Sequence, residues 1–286
     1  MTEGKENVGV IGAGLMGSEI ALVFALAGHH VLLTDQSHEL LAQARSRLAT
    51  VLDKGVARGL YSSDQARSAL QRIELTLDRQ RFADRELVTE AVFECETVKA
   101  EVLHDLDRIC RKECIFATNT STIPISVLAT HVSSERRGKF IGTHYFSPVS
   151  RMRLVEVIAG LETSQHSLQT VMRLCGGIGK TPISIKDVTG FAVNRLLHVM
   201  MIEAVRLVEE GVASPEDIDT ACRLGLGHPM GPFELMDATT SSLCLQAQEI
   251  MHQAYGERFR PRPLLKQRVR AGRVGGHGKP GWRARV

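Results

Sequence analysis

The chain has 286 residues, 43% hydrophobic and 23% charged, at a net charge of +3, which suits one nucleotide-sized domain plus a smaller one. No apolar run is long enough to cross a bilayer, and Met1 to Glu6 lack the charged-then-apolar pattern of a secretory leader. Six cysteines without a C-x-x-C pair and 11 histidines without H-E-x-x-H speak against a disulfide framework or a metal centre, and for reduced thiols in a cytoplasmic compartment. The first predicted strand is the apolar run Val8-Gly9-Val10-Ile11. It is followed by the turn Gly12-Ala13-Gly14-Leu15-Met16-Gly17, a mostly apolar helix over 18–27 stopped by Gly28, and a second strand, Val31-Leu32-Leu33-Thr34, ending on Asp35.

Each piece of that segment has a job in holding a dinucleotide. Gly12 permits the tight turn, Gly14 lets the backbone approach a pyrophosphate, and Gly17 lets the helix pack close on the strand. The phosphates then sit on the unpaired N–H groups and positive end of the helix. Glycine-rich turns are common, but the strand before, the helix after and an acid 23 residues beyond Gly12 make this one specific. Asp35 also selects the coenzyme: a carboxylate accepts the ribose hydroxyls of NAD and repels the 2′-phosphate of NADP. No arginine follows it directly.

Beyond Asp35 the spacing predicts helices over 38–58 and over 62–70, the latter behind a Ser62 cap. Strands are predicted over 73–77, 87–92, 115–118, 140–143, 154–158 and 183–185, with helices over 97–109 and 168–174 between them. Such alternation specifies an α/β domain, a mostly parallel sheet with helices on both faces. The texture then changes. Residues 190–210 form one long helical stretch with Phe191, Leu196, Leu197, Met200, Met201, Ala204 and Val208 at core spacing. Ser214-Pro215-Glu216-Asp217 starts another helix, and helical patterns run to about residue 271 without a strand. The domains are therefore set at 1–187 and 188–286. The apolar width of the 190–210 helix fits either a homodimer seam or burial within its own domain.

Ser121 follows a strand in Asn119-Thr120-Ser121, at the edge where open α/β sheets bind ligands. His144 ends another strand, and Glu156 lies inside a third, where a buried charge needs a partner; His144 is the natural one if the two strands pair. Asn194 sits in the first turns of the long apolar helix. Singly, each has a plain explanation as a cap, a strand-end histidine or an exposed edge. Together they suit alcohol oxidation: a histidine to take the hydroxyl proton as hydride leaves, a carboxylate to fix its tautomer, and serine and asparagine to hold substrate oxygens.

The sequence here resembles the L-3-hydroxyacyl-CoA dehydrogenases, including the 3-hydroxybutyryl-CoA dehydrogenases, over nearly its whole length. The resemblance rests on the opening Val10 to Gly17, on Glu90-Ala91-Val92 with Glu94 and Lys99, and on Asn119-Thr120-Ser121. It rests further on His144-Tyr145-Phe146 with Leu154-Val155-Glu156-Val157, on Gly190-Phe191 through Asn194-Arg195-Leu196-Leu197, and on Gly227-His228-Pro229-Met230-Gly231-Pro232-Phe233-Glu234-Leu235. It implies a Rossmann-like NAD-binding domain followed by an all-helical dimerisation domain, the active site in the cleft between them, and an acyl-CoA substrate. It implies His144 as base, Glu156 as its partner, Ser121 and Asn194 as substrate contacts, and Glu94, Lys99 and Ser121 near NAD. Arg58 falls where the family carries a lysine, a cation for the phosphates of CoA, while a polar contact position becomes Val51. The chain departs from the family at Ser147, at His277, at Thr240-Ser241-Ser242 and at Gly281-Trp282-Arg283.

Two other readings stand beside this one: a dehydrogenase of a free hydroxy acid, similar to gulonate dehydrogenases and lens lambda-crystallin, and a catalytically silent scaffold. Tyr145-Phe146 and the 229–235 signature favour the thioester branch, and the intact Ser121, His144, Glu156 and Asn194 set argues against the scaffold. From Glu257 to Val286 the chain carries ten Lys or Arg against one acid, a solvated helix face or a phosphate-binding tail. With 5% aromatic residues and no basic–aromatic interleaving, no nucleic-acid partner is expected.

Overall fold

The computed structural model describes residues 5–283; the first four residues, part of the reading of the amino terminus, and the last three of the basic stretch lie outside them. The chain divides into two compact units, Met1–Val188 and Thr189–Val286.

The first unit holds strands β1 (Asn7–Ile11), β2 (His30–Thr34), β3 (Ile73–Thr76), β4 (Leu87–Glu90), β5 (Ile115–Thr118), β6 (Phe140–Tyr145), β7 (Leu154–Ala159) and β8 (Thr181–Lys186). Its helices are α1 (Leu15–Leu26), α2 (His38–Ala57), α3 (Ser63–Arg72), α4 (Glu96–Ile109), the one-turn α5 (Ile125–Leu128) and α6 (Ser134–Arg137), and α7 (Gln165–Gly177). The strands form one sheet in the order β3-β2-β1-β4-β5-β6-β7-β8. All neighbours are parallel except β6 and β7, which pair antiparallel. Chain order reverses between β1 and β4, so a crevice opens there at the carboxyl ends of the strands, the usual ligand edge of a doubly wound sheet.

Local chemistry explains most element ends. Helix α1 is buried from Gly17 to Ala25, since it is covered by the sheet, α2 and α3 together, and its apolar width follows from that. Ser37 caps α2 by accepting the Leu40 N–H, and Ser62 with Gln65 closes a full capping box on α3. Strand β4 stops at Glu90, short of the expected residue 92, because the Glu90 carboxylate accepts the Val92 N–H at 2.7 Å and turns the chain out of the ladder. Strand β6 runs two residues further than expected. Antiparallel pairing with β7 carries it through His144, opposite Glu156, and Tyr145, opposite Val155. Strand β8 is likewise longer, six residues paired to β7 rather than the three at 183–185.

The second unit is helical: α8 (Val193–Glu209), α9 (Pro215–Gly225), α10 (Pro232–Thr239), α11 (Ser241–Tyr255) and α12 (Pro263–Arg270). Helix α8 begins at Val193, not 190, because Gly190 (φ +74°) and Phe191 (φ +46°) take left-handed backbone that no helix continues through. Its core face is Met201, Ala204, Val205 and Val208, packed with Ile218, Phe233, Met236 and Leu265. Leu196 was expected in the core but is 76% exposed, and Met200 is half-buried, since both lie off that face.

The departures near the end of the chain fit one another. The Trp282 indole donates to Ser241 Oγ at 2.9 Å, its ring packs on Phe233, and Asp237 accepts the Trp282 and Arg283 N–H groups. Ser241 is fully buried, so two of the departing residues, Ser241 and Trp282, partner each other. His277, by contrast, is exposed.

Candidate active site

The glycine turn is shaped by three different contacts. Gly12 sits at φ +96°, and a Cβ there would meet the Ala91 carbonyl oxygen at 2.6 Å. A Cβ on Gly17 would stand 1.8 Å from the Gly12 oxygen, so only glycine lets α1 approach β1 this closely. A Cβ on Gly14 would meet nothing within 4 Å. The packing of the chain therefore does not dictate glycine at 14, and the backbone there is open to close approach by a ligand. Gly14 is the N-cap of α1 and offers no side chain, which leaves the first-turn N–H groups of Leu15, Met16 and Gly17 for an anion. Asp35 lies just past β2, its carboxylate accepting the Ala13 N–H at 2.6 Å and the Gln36 N–H at 2.7 Å.

Next to the turn, the β4–α4 segment builds a buried polar knot. Lys99 is fully buried, its ammonium 2.7 Å from Glu90 Oε1 and 3.4 Å from Glu94 Oε2. Glu90 also accepts the Thr118 hydroxyl at 2.7 Å. Glu94 Oε1 gathers the Thr120 hydroxyl at 2.7 Å, the Ser121 N–H at 2.8 Å and the Thr122 N–H at 2.9 Å. Burial alone would raise the Glu94 carboxyl, but Lys99 and these hydrogen bonds outweigh it and hold the group below the usual carboxylate range. The knot fixes the serine loop. Removing Lys99 would leave a buried carboxylate unpaired, a loss of about 3–5 kcal/mol.

Ser121, His144 and Glu156 form a single chain of hydrogen bonds. Ser121 Oγ lies 3.1 Å from His144 Nε2, and His144 Nδ1 lies 2.8 Å from Glu156 Oε2. Glu156 is 0% exposed and His144 5%. A buried carboxylate accepts, so Nδ1 carries the proton toward Glu156 and Nε2 presents its lone pair to the serine side. The register of β6 and β7 places the pair: His144 and Glu156 are directly opposite in the antiparallel ladder. Asn119 ties the serine loop to β6 by accepting the Tyr145 N–H at 3.0 Å, and the Phe146 ring stands edge-on to the imidazole with centroids 4.6 Å apart. The loop beyond is anchored by Glu19, which accepts the Ser150 N–H at 2.7 Å, and by Lys180, which donates to the Val149 and Met152 carbonyls.

Of the residues singled out from sequence, Gly12 to Gly17, Asp35, Glu94, Lys99, Ser121, His144 and Glu156 thus stand on the carboxyl edge of one sheet, in the first unit. Asn194 is the second residue of α8 in the second unit, half-buried. Arg58 is the exposed C-cap of α2 and Val51 is half-buried on that helix. Glu90, Thr118, Asn119, Glu19 and Lys180 carry structural roles that the sequence reading left unassigned. An acid inside the apolar run of α1 was the one signal that would have flagged Glu19.

Residues 7–188 match the family profile described as 3-hydroxyacyl-CoA dehydrogenase, NAD binding domain, and residues 190–284 that of 3-hydroxyacyl-CoA dehydrogenase, C-terminal domain. The chain belongs to the 3-hydroxyacyl-CoA dehydrogenase family. It is an NAD-dependent oxidoreductase with a Rossmann-like sheet domain followed by a helical domain. It is similar to a probable 3-hydroxybutyryl-CoA dehydrogenase of Deinococcus radiodurans, 43% identical over 268 residues, or 93% of this chain and 95% of the relative. The mitochondrial hydroxyacyl-coenzyme A dehydrogenase of Sus scrofa is 39% identical over 94% of this chain and 88% of its own length. The crystal structure of (S)-3-hydroxybutyryl-CoA dehydrogenase from Ralstonia eutropha superposes with a TM-score of 0.94 at 34% identity, covering 99% of this chain and 100% of that one.

Proposed function

We propose that the protein interconverts an L-3-hydroxyacyl-CoA and its 3-oxoacyl-CoA, with His144 as the acid–base group, Glu156 as its partner and Ser121 and Asn194 as contacts to the substrate oxygens. The observation that carries this reading is the Ser121–His144–Glu156 chain on the ligand edge of the sheet. The residues fit NAD as well, on the open face of Gly14, the first turn of α1 and the carboxylate of Asp35. When bound, NAD supplies the hydride acceptor. In oxidation His144 Nε2 takes the hydroxyl proton, and Glu156 on Nδ1 stabilises the imidazolium that results. In reduction the protonated ring returns that proton to the carbonyl oxygen. Ser121 Oγ, already 3.1 Å from Nε2, holds the reacting oxygen where the ring can reach it. Glu94 and Lys99 serve NAD by shaping the serine loop and the edge beside it.

In the same reading residues 1–187 bind NAD and residues 188–286 supply substrate contacts and a homodimer face. Exposed Leu196, Val199, Leu224, Leu226 and Leu243 of the helical unit support the dimer, which light scattering would detect as the mass of two chains. All six cysteines are free, in keeping with the cytoplasmic compartment we assign, and among the described residues no helix is long and apolar enough to cross a membrane. Arg58 is assigned to the phosphates of CoA, as an exposed guanidinium at the end of α2.

The test is NADH oxidation with acetoacetyl-CoA and with free acetoacetate in parallel. Turnover with the thioester and little with the free acid is expected, and Arg58→Ala should raise KM for the thioester with kcat nearly unchanged. A preference for the free acid would overturn the proposal in favour of a hydroxy-acid dehydrogenase.

A further inference from the structure

The glycine turn is gripped from outside its own motif. Asp35 accepts the Ala13 N–H at 2.6 Å, and Arg47, in the middle of α2, donates an Nη2 hydrogen to the Ala13 carbonyl. The peptide groups on either side of the Ala13 Cα are thus held by side chains of opposite charge. Asp35 was legible from its place after the second strand; Arg47 lies 12 residues further on, where no spacing rule points to it.

Two features of Arg47 go beyond a structural brace. Its Nε–H is buried and has no acceptor among the described residues, nor does any carboxylate among them form an ion pair with the guanidinium. Both nearby acids are committed elsewhere: Asp35 to the Ala13 and Gln36 N–H groups, Glu19 to the Ser150 N–H. With one fork on the turn and no carboxylate paired to it, the guanidinium keeps a positive charge beside the turn that an anion would neutralise. Arg47 also lines a cavity of about 280 Å³ between α1 and α2, together with Leu15, Ser18, Glu19, Thr50 and Val51.

We infer that Arg47 is a binding and positioning residue for the phosphates of the dinucleotide, supplied by α2 from outside the glycine motif. It orients the Ala13 peptide and places a positive charge beside the turn on which those phosphates rest. A planar fork suits this double duty, since one arm can hold a carbonyl while another faces a phosphate oxygen. The inference rests on the reading of the turn as the NAD site and adds to it a determinant of affinity that the motif does not contain. An acyl-CoA also carries phosphates, so the test must tell the two sources apart.

The experiment is a fluorescence titration of NADH into the full-length protein, its Arg47→Met variant and its Arg47→Lys variant, at low and high salt, with KM for acetoacetyl-CoA measured beside it. Arg47→Met should raise the Kd for NADH about tenfold and flatten its dependence on salt, the scale of one lost charge-assisted hydrogen bond. Arg47→Lys should keep the salt dependence and lose about threefold in affinity, because the charge stays and the fork goes. KM for acetoacetyl-CoA should move less than twofold in both. Wild-type NADH affinity in Arg47→Met, or in Arg47→Lys should the methionine variant fail to fold, would overturn the inference. So would a weakening confined to acetoacetyl-CoA or equal for both ligands, which would assign Arg47 to the CoA phosphates or to folding. NADH binding that follows these expectations in a protein that reduces no 3-oxoacyl-CoA would sink the proposed reaction while leaving Arg47 in place.

Discussion

Asp35 does two things at once. It closes the glycine turn through the Ala13 N–H, and in the NAD site we propose it stands just past β2 as the partner of the ribose hydroxyls. A 2′-phosphate brought against that carboxylate meets like charge, at about 1–4 kcal/mol per unit charge pair between water and a protein surface. Asp35→Ala should therefore weaken NADH, through the loosened turn and the lost ribose contact, and narrow its advantage over NADPH at least tenfold. Equal catalytic efficiency with the two coenzymes in the unchanged protein would contradict this role. At this scale the sequence carried a good deal. The spacing of Gly12, Gly14, Gly17 and Asp35 and an acid inside a strand at Glu156 are patterns with few other uses. The knot of Glu90, Lys99, Glu94 and Thr118 was not readable in the same way, because its partners come together only when β4 and β5 pair and α4 folds back over them.

Among the elements, α8 departs furthest from its pattern. Seven apolar positions at helical spacing predicted a helix buried from its start, yet two left-handed residues delay it and Leu196 faces out. Period alone cannot say which of several apolar stripes a helix buries when it carries more than one. The same helix buries His198, at 6% exposure, beside the Cys244 thiol, and burial pushes its pKa down to about 4 from an ordinary 6.5. The unfolded chain then binds a proton between pH 6.5 and 4 that the folded helix refuses. Stability should be insensitive to this group above pH 6.5, fall as pH drops through that window by on the order of 3 kcal/mol, and level off below about 4. Trp282, the only tryptophan and buried in the same unit, reports urea unfolding directly. His198→Leu should flatten the pH dependence between 6.5 and 4; an unchanged slope would mean another group carries it.

For the chain as a whole, the change from alternating strands and helices to helices alone was visible in the sequence, and the structure resolves into two units with separate cores. Sheet order was not visible. The reversal of β7 against β6 follows from a short connection, and it is this reversal that sets Glu156 opposite His144. The reaction we assign to the molecule depends on that register more than on any other contact. Its most direct test is the single-turnover rate of NADH oxidation by acetoacetyl-CoA, with both ligands saturating, in the wild-type protein and in His144→Ala. The proposed role predicts a fall of roughly 10²- to 10⁴-fold, the usual contribution of a positioned acid–base group, with the Kd for NADH within about twofold of wild type. A His144→Ala protein that turns over near the wild-type rate would show that the proton moves through another group.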